Sequence, residues 1–179
     1  MAQTVTEGYS AKHIANYFLS KYMGKITPLK LQKLVYIAHG WHMAYHGVNK
    51  PLVSDENVEA WKHGPVFPSL YHHFKDFGNL TINRYAEKVE FDQDGNKKFW
   101  KSPYKKSIPQ IRSNDISTIN LLDRIWEVYG GYSGVYLSNL CHQQGTPWAE
   151  SKSQIKNAHI ANKEIEKHYL DKLNNNKNG

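Results

Sequence analysis

The sequence predicts a single α+β domain, mainly helical, with a small antiparallel β-sheet or hairpin. Three observations carry this. Several segments repeat apolar residues every three or four positions between capping and breaking residues, and one stretch alternates around an Asp-Gly turn. The third is size: 179 residues, 40% hydrophobic and 22% charged, form one domain that buries roughly 70% of its unfolded surface. The mean hydropathy of −0.68 belongs to a well-cored chain, because 5 Trp, 12 Tyr and 6 Phe accompany it.

The first helix starts after Ser10, carries Ile14, Tyr17, Phe18 and Tyr22, and stops at Gly24. Thr27-Pro28 opens the second as N-cap and first-turn proline. Its stripe of Leu31, Leu34, Val35, Ala38, His42 and Tyr45 runs to Gly47 and leaves Lys30 and Lys33 on the polar side. A loop at 51–55 leads to a short strand through Val58, Ala60 and Trp61, which ends in a Gly64-Pro65 turn. Pro68 begins a short helix with Leu70, Tyr71 and Phe74 that Gly78 ends.

Between Tyr85 and Ser102, Val89 and Phe91 alternate with charges before Asp94-Gly95, with Phe99 in the returning arm of a hairpin. Residues 103–112 have no apolar period and read as an exposed connection. After Ser113, a core helix carries Ile116, Ile119, Leu122, Ile125, Trp126 and Tyr129 to Gly130-Gly131. Ser133 caps another, with Val135, Leu137, Leu140 and Cys141, ended by Gly145 and Thr146-Pro147. A last helix spans about 158–173 with Ile160, Ile165 and Tyr169 inward. The expected organisation is an N-terminal tail over 1–9, a domain over 10–173 and a disordered tail over 174–179.

The longest unbroken apolar run is Leu34 to Ala38, so no membrane span or signal peptide is expected. One cysteine excludes an internal disulfide or a CxxC metal pair, and the expected compartment is the cytoplasm. The net charge of +7 invites a nucleic-acid partner. However, the excess is spread over both ends, and of 23 basic residues only Arg84, Arg112 and Arg124 carry the guanidinium fork that phosphate and base recognition favour.

Catalytic and cofactor signatures are absent: there is no phosphate-binding glycine loop, nucleophile elbow or calcium loop. His42 and His46 have the i, i+4 spacing of a metal pair, but neither an HExxH glutamate nor a cysteine pair accompanies them. No metal, cofactor or catalytic residue is therefore assigned. His63, His72 and His73 lack a carboxylate at pairing distance along the chain, and Cys141 and His142, as helix neighbours, diverge by about 100°. The segment 116–145 has a helix-turn-helix outline, yet 135–143 contains no Lys or Arg for phosphates.

Three ordered strings remain. Lys30-Leu31-Gln32-Lys33-Leu34-Val35-Tyr36-Ile37-Ala38-His39-Gly40, Glu59-Ala60-Trp61-Lys62-His63-Gly64-Pro65-Val66 with Leu70-Tyr71, and Leu137-Ser138 with His142 and Pro147-Trp148 resemble the Panacea domain. This is the SocA-like antitoxin domain, formerly the phage-associated protein family, and the likeness spans about 10–150. The resemblance implies a bacterial or phage-encoded antitoxin, not an enzyme, that neutralises a toxin encoded beside it by direct protein binding. It implies partner-binding roles for Lys30, Gln32, Lys33, Tyr36, Tyr71, His142 and Trp148, and structural roles for Leu31, Leu34, Gly64, Pro65, Val66 and Pro147. On physical grounds Leu31, Leu34 and Val66 pack inward, whereas Lys30, Lys33, Tyr71 and Trp148 are candidates to reach a partner. Gln32, polar beside a buried face, is expected to hydrogen-bond backbone or a neighbouring helix. Pro147-Trp148 reads equally as an interface anchor or an internal plug. The alternatives are a basic nucleic-acid-binding regulator and an adaptor presenting its partner to a protease.

Overall fold

A helix buried all round through its middle organises the structure, a computed structural model that describes residues 8–91, 104–151 and 157–175. This is α2 (Pro28–His46), in which every residue from Leu31 to Gly40 is buried. Around it pack α1 (Ala11–Tyr22), α3 (Pro68–Phe74), α4 (Ile116–Tyr129), α5 (Gly134–Cys141) and α7 (Asn162–Asn175). A Cβ on Gly40 would lie 2.1 Å from the Tyr169 ring, so only glycine lets α7 approach this closely. The core includes Phe18, Leu31, Leu34, Met43, Phe67, Leu122 and Ile165.

The helix ends follow their capping residues. Thr27 Oγ1 accepts the Lys30 N–H at 3.3 Å, and the N–H of Gly47, at φ 86°, donates to Met43 O. Asp115 and Ser133 accept the Thr118 and Tyr136 N–H groups at the starts of α4 and α5.

Three antiparallel strands, β1 (Val58–Trp61), β2 (Gly64–Val66) and β5 (His159–Ile160), form a sheet in the order β2-β1-β5. Glu59 faces Val66 on one side and His159 on the other. A second pair joins β3 (Lys88–Phe91) to β4 (Tyr104–Ser107), with Val89 opposite Lys106. The short α6 (Pro147–Ser151) completes the α+β domain, in which no described helix is long and apolar enough to cross a membrane.

Several expectations need correction. Gly64-Pro65 belongs to β2, because the turn occupies only Lys62 and His63. The strand β4 occupies part of the expected connection, because pairing with β3 extends it without any apolar alternation. The Asp94-Gly95 turn and Phe99 lie outside the described residues. Ala158–Ile160 is extended, with Ala158 O accepting the Ala60 N–H at 2.8 Å, so α7 begins only at Asn162. Pro147 opens α6, whereas α5 already ends at Cys141.

Tyr9 is a core residue rather than tail: its N–H donates to Leu52 O and its hydroxyl to Asp115 Oδ2 at 2.7 Å. At the other end Asn174 and Asn175 lie in α7, while 176–179 fall outside the described residues. Tyr45, Ile116 and Val135, expected on inner stripes, are exposed.

Candidate partner-binding site

A single strap of backbone, residues 61–67, is gripped through alternate carbonyls by side chains from three helices. Trp148 Nε1 of α6 donates to Trp61 O at 2.8 Å, and Ser138 Oγ of α5 donates to His63 O at 2.8 Å. Lys33 Nζ of α2 donates to Pro65 O at 2.8 Å. Gln32 makes a two-point contact with Phe67, its Nε2 donating to the carbonyl and its Oε1 accepting the N–H, both at 3.0 Å. Removing one partner leaves a buried polar group unpaired at about 1–3 kcal/mol, so the four side chains fix the strap's path strongly.

Lys33 is the centre of this clamp and is fully buried. Removal from water pushes its pKa down from 10.5 to about 8, with nearby Cys141 opposing slightly. Burial likewise pushes the Cys141 thiol up and the Tyr36 hydroxyl well above its ordinary value. Gly64, at φ +104°, passes over the amine: a Cβ there would sit 2.7 Å from Lys33 Nζ and 3.3 Å from His142 Nε2. The His142 imidazole stacks on Trp148 with ring centroids 3.8 Å apart.

The structure thus brings Gln32, Lys33, Gly64, Pro65, His142 and Trp148 into one cluster, and places most of it inside. Gln32, Lys33, Tyr36 and Trp148 are each 5% exposed or less. This corrects the expectation that Lys33 lies on a polar face, and of the two readings open for Trp148 its burial favours the internal one. The physical reason is that the middle of α2 is enclosed on all sides, so its lysine must find an internal acceptor. Trp148 is an internal plug, and Gln32 bonds backbone as anticipated. Leu31, Leu34 and Val66 are buried as expected, and Pro147 is buried as well. Lys30 is half-buried: its Nζ donates to Gly130 O at 2.5 Å and lies 4.9 Å from the Trp126 ring centroid. His142 is half-buried, and Tyr71 is 42% exposed.

Tyr71 meets a residue that sequence reasoning left unassigned. Its ring packs edge-on against Trp61 with centroids 4.7 Å apart, and His72 lies 6.4 Å from the same indole. Trp61 is half-buried, while Lys62, His63 and His72 are exposed. Strand parity offered the signal: with Val58 and Ala60 inward, Glu59 and Trp61 point outward. Trp61 Nε1 donates to Glu59 Oε2 at 2.7 Å, which orients the indole.

Three further histidines stand on α2. His39 Nδ1 accepts the Val53 N–H, so Nε2 carries the proton and donates to Asn162 Oδ1 at 3.1 Å. Burial lowers the His39 pKa to about 4. His42 and His46 lie with ring centroids 4.4 Å apart, but the described residues hold no group of three or more His, Cys, Asp or Glu placed for a metal.

Comparison with known proteins completes the picture. Residues 31–149 match the family described as "Antitoxin SocA-like, Panacea domain". The curated protein Antitoxin SocA of Caulobacter vibrioides is 32% identical over 146 residues, covering 79% of this chain and 70% of that protein. No solved structure matches. The matched span contains every side chain of the clamp and the strap it holds.

Proposed function

Because this chain belongs to the SocA-like antitoxin, Panacea domain family, we propose that it is an antitoxin that neutralises a cognate toxin by direct protein binding. The family match across the whole clamp carries this reading. It is a non-enzymatic binding module acting in the cytoplasm, and it takes no cofactor. Its thiol is buried and its buried Lys33 is anchored to a carbonyl, so neither supplies an accessible nucleophile.

A nucleic-acid role has less support. Arg84 is paired with Asp76, Arg124 with Glu127, and Arg112 lies beside Asp115 and over the Tyr9 ring, so all three guanidiniums are engaged. Of the residues implied to contact a partner, Tyr71 and Lys30 present surface for a direct role; Gln32, Lys33, Tyr36 and Trp148 act through the shape they hold.

The test is growth rescue. The flanking gene is expressed with and without this chain, and the two products are co-purified. Toxicity reversed together with a stable complex is the expected result. A harmless neighbour that does not bind would refute the reading. Rescue that disappears in a protease-deficient host would replace simple occlusion with an adaptor mechanism.

A further inference from the structure

The clamp spends four internal side chains on backbone carbonyls, and what it leaves facing outward is the tip of the β1–β2 hairpin. That tip carries Trp61, Lys62 and His63, and Tyr71 and His72 from α3 stand against its indole. Internal polar contacts of this kind fix a conformation, and a surface fixed in advance loses little conformational freedom on binding. Trp and Tyr are the side chains that most often anchor protein interfaces.

Two exposed lysines, Lys62 and Lys75, stand near this aromatic pair along the chain, and one carboxylate, Glu59, is bonded to its indole. Lys62, His63 and His72 are exposed, and Lys75, one helical turn beyond Tyr71, is exposed as well. Neither lysine forms an ion pair with another described residue. Of the neighbouring carboxylates Asp76 is paired with the Arg84 guanidinium, while Glu59 accepts from the Trp61 indole and Glu56 from the Ser69 N–H, so the two lysines are the cations left for a partner.

The geometry points to the clamped hairpin tip, Trp61 to His63 with Tyr71 and His72, as the docking surface for an acidic face of the protein partner. An apolar contact seats on the Trp61–Tyr71 pair while carboxylates meet Lys62 and Lys75. This deepens the antitoxin reading and rests on it.

The experiment uses the full chain and the product of the flanking gene, with Kd measured at low and high salt. The variants are Lys62→Glu, Tyr71→Ala and the control Lys50→Glu, an exposed lysine beyond the far end of α2 that makes the same charge change. Circular dichroism and thermal melting establish that each is folded. Lys62→Glu and Tyr71→Ala are expected to weaken binding at least tenfold with Lys50→Glu within twofold of the parent, and the salt dependence is expected to flatten in Lys62→Glu. If the parent binds and all three variants bind alike, the docking surface is wrong while the antitoxin reading stands. If Lys50→Glu loses as much as Lys62→Glu, only net charge matters and the proposal fails. If the parent does not bind the flanking product, both fail. A single-stranded oligonucleotide that binds the parent and is lost specifically in Lys62→Glu would overturn the choice of a protein partner.

Discussion

Replacing Lys33 by methionine isolates the energetic signature of a buried amine. On folding the amine leaves water and gains Pro65 O at 2.8 Å, and its pKa falls from 10.5 to about 8. Between those values the unfolded chain binds a proton that the folded chain does not, so stability rises with pH by about 1.4 kcal/mol per unit at the steepest. Between about pH 7.5 and 9 the folded Lys33 loses its proton while the unfolded chain keeps it, and the expected gain there is about 1 kcal/mol. Above pH 9 the direction reverses: Cys141, Tyr36 and Tyr169 have pKa values raised by burial and hold protons in the folded state that the unfolded chain releases. Urea unfolding followed by tryptophan fluorescence at the two pH values, in the parent and in Lys33→Met, measures the effect. The variant leaves Pro65 O without its donor but no longer buries an amine, so its stability at pH 7.5 is expected within about 2 kcal/mol of the parent. Its pH dependence over this window is expected to be nearly flat. An equal rise in both proteins would refute the placement of a buried, titrating Lys33.

Gln32→Leu removes both bonds to Phe67 and is expected to lose about 3 kcal/mol, lowering Tm by about 6–12 °C; a loss under 1 kcal/mol would show that the strap is not held there. Gly64→Ala combines a Cβ 2.7 Å from Lys33 Nζ with φ +104°, so a cost of about 1–3 kcal/mol is expected by thermal melting, and an unchanged melt would contradict this backbone path. His39 is buried and neutral, with its pKa lowered from 6.5 to about 4; its stability contribution is present above pH 6.5 and falls away toward pH 4. From pH 7 to 5 it accounts for a loss of about 2 kcal/mol, and His39→Gln is expected to lose that much less over the same interval in urea titrations.

The helices were legible because their signals are local. Thr27-Pro28 and Ser133 cap the ends at which they stand, whereas α4 is capped by Asp115, two residues past Ser113, and the apolar stripes of α1 and α4 bury Ile14, Phe18, Leu122 and Ile125 as expected. The short strands were less legible. β5 is extended because β1 lies beside it, and β4 because β3 does; pairing across many residues leaves no local periodicity.

The candidate site divides in the same way. The sequence by itself determined which residues belong together as a family signature, that Leu31 and Leu34 are core, and that Gln32 must find a hydrogen-bond partner in backbone or a neighbouring helix. Only the tertiary structure decided that Lys33 lies inside, since the middle of a helix enclosed by five others has no polar face, whatever its side-chain pattern allows. It also decided that Trp148 plugs the interior and that Trp61 meets Tyr71 at the surface. Those roles are set by which carbonyl or ring arrives from a distant part of the chain, and the residue types along one helix do not encode that arrival.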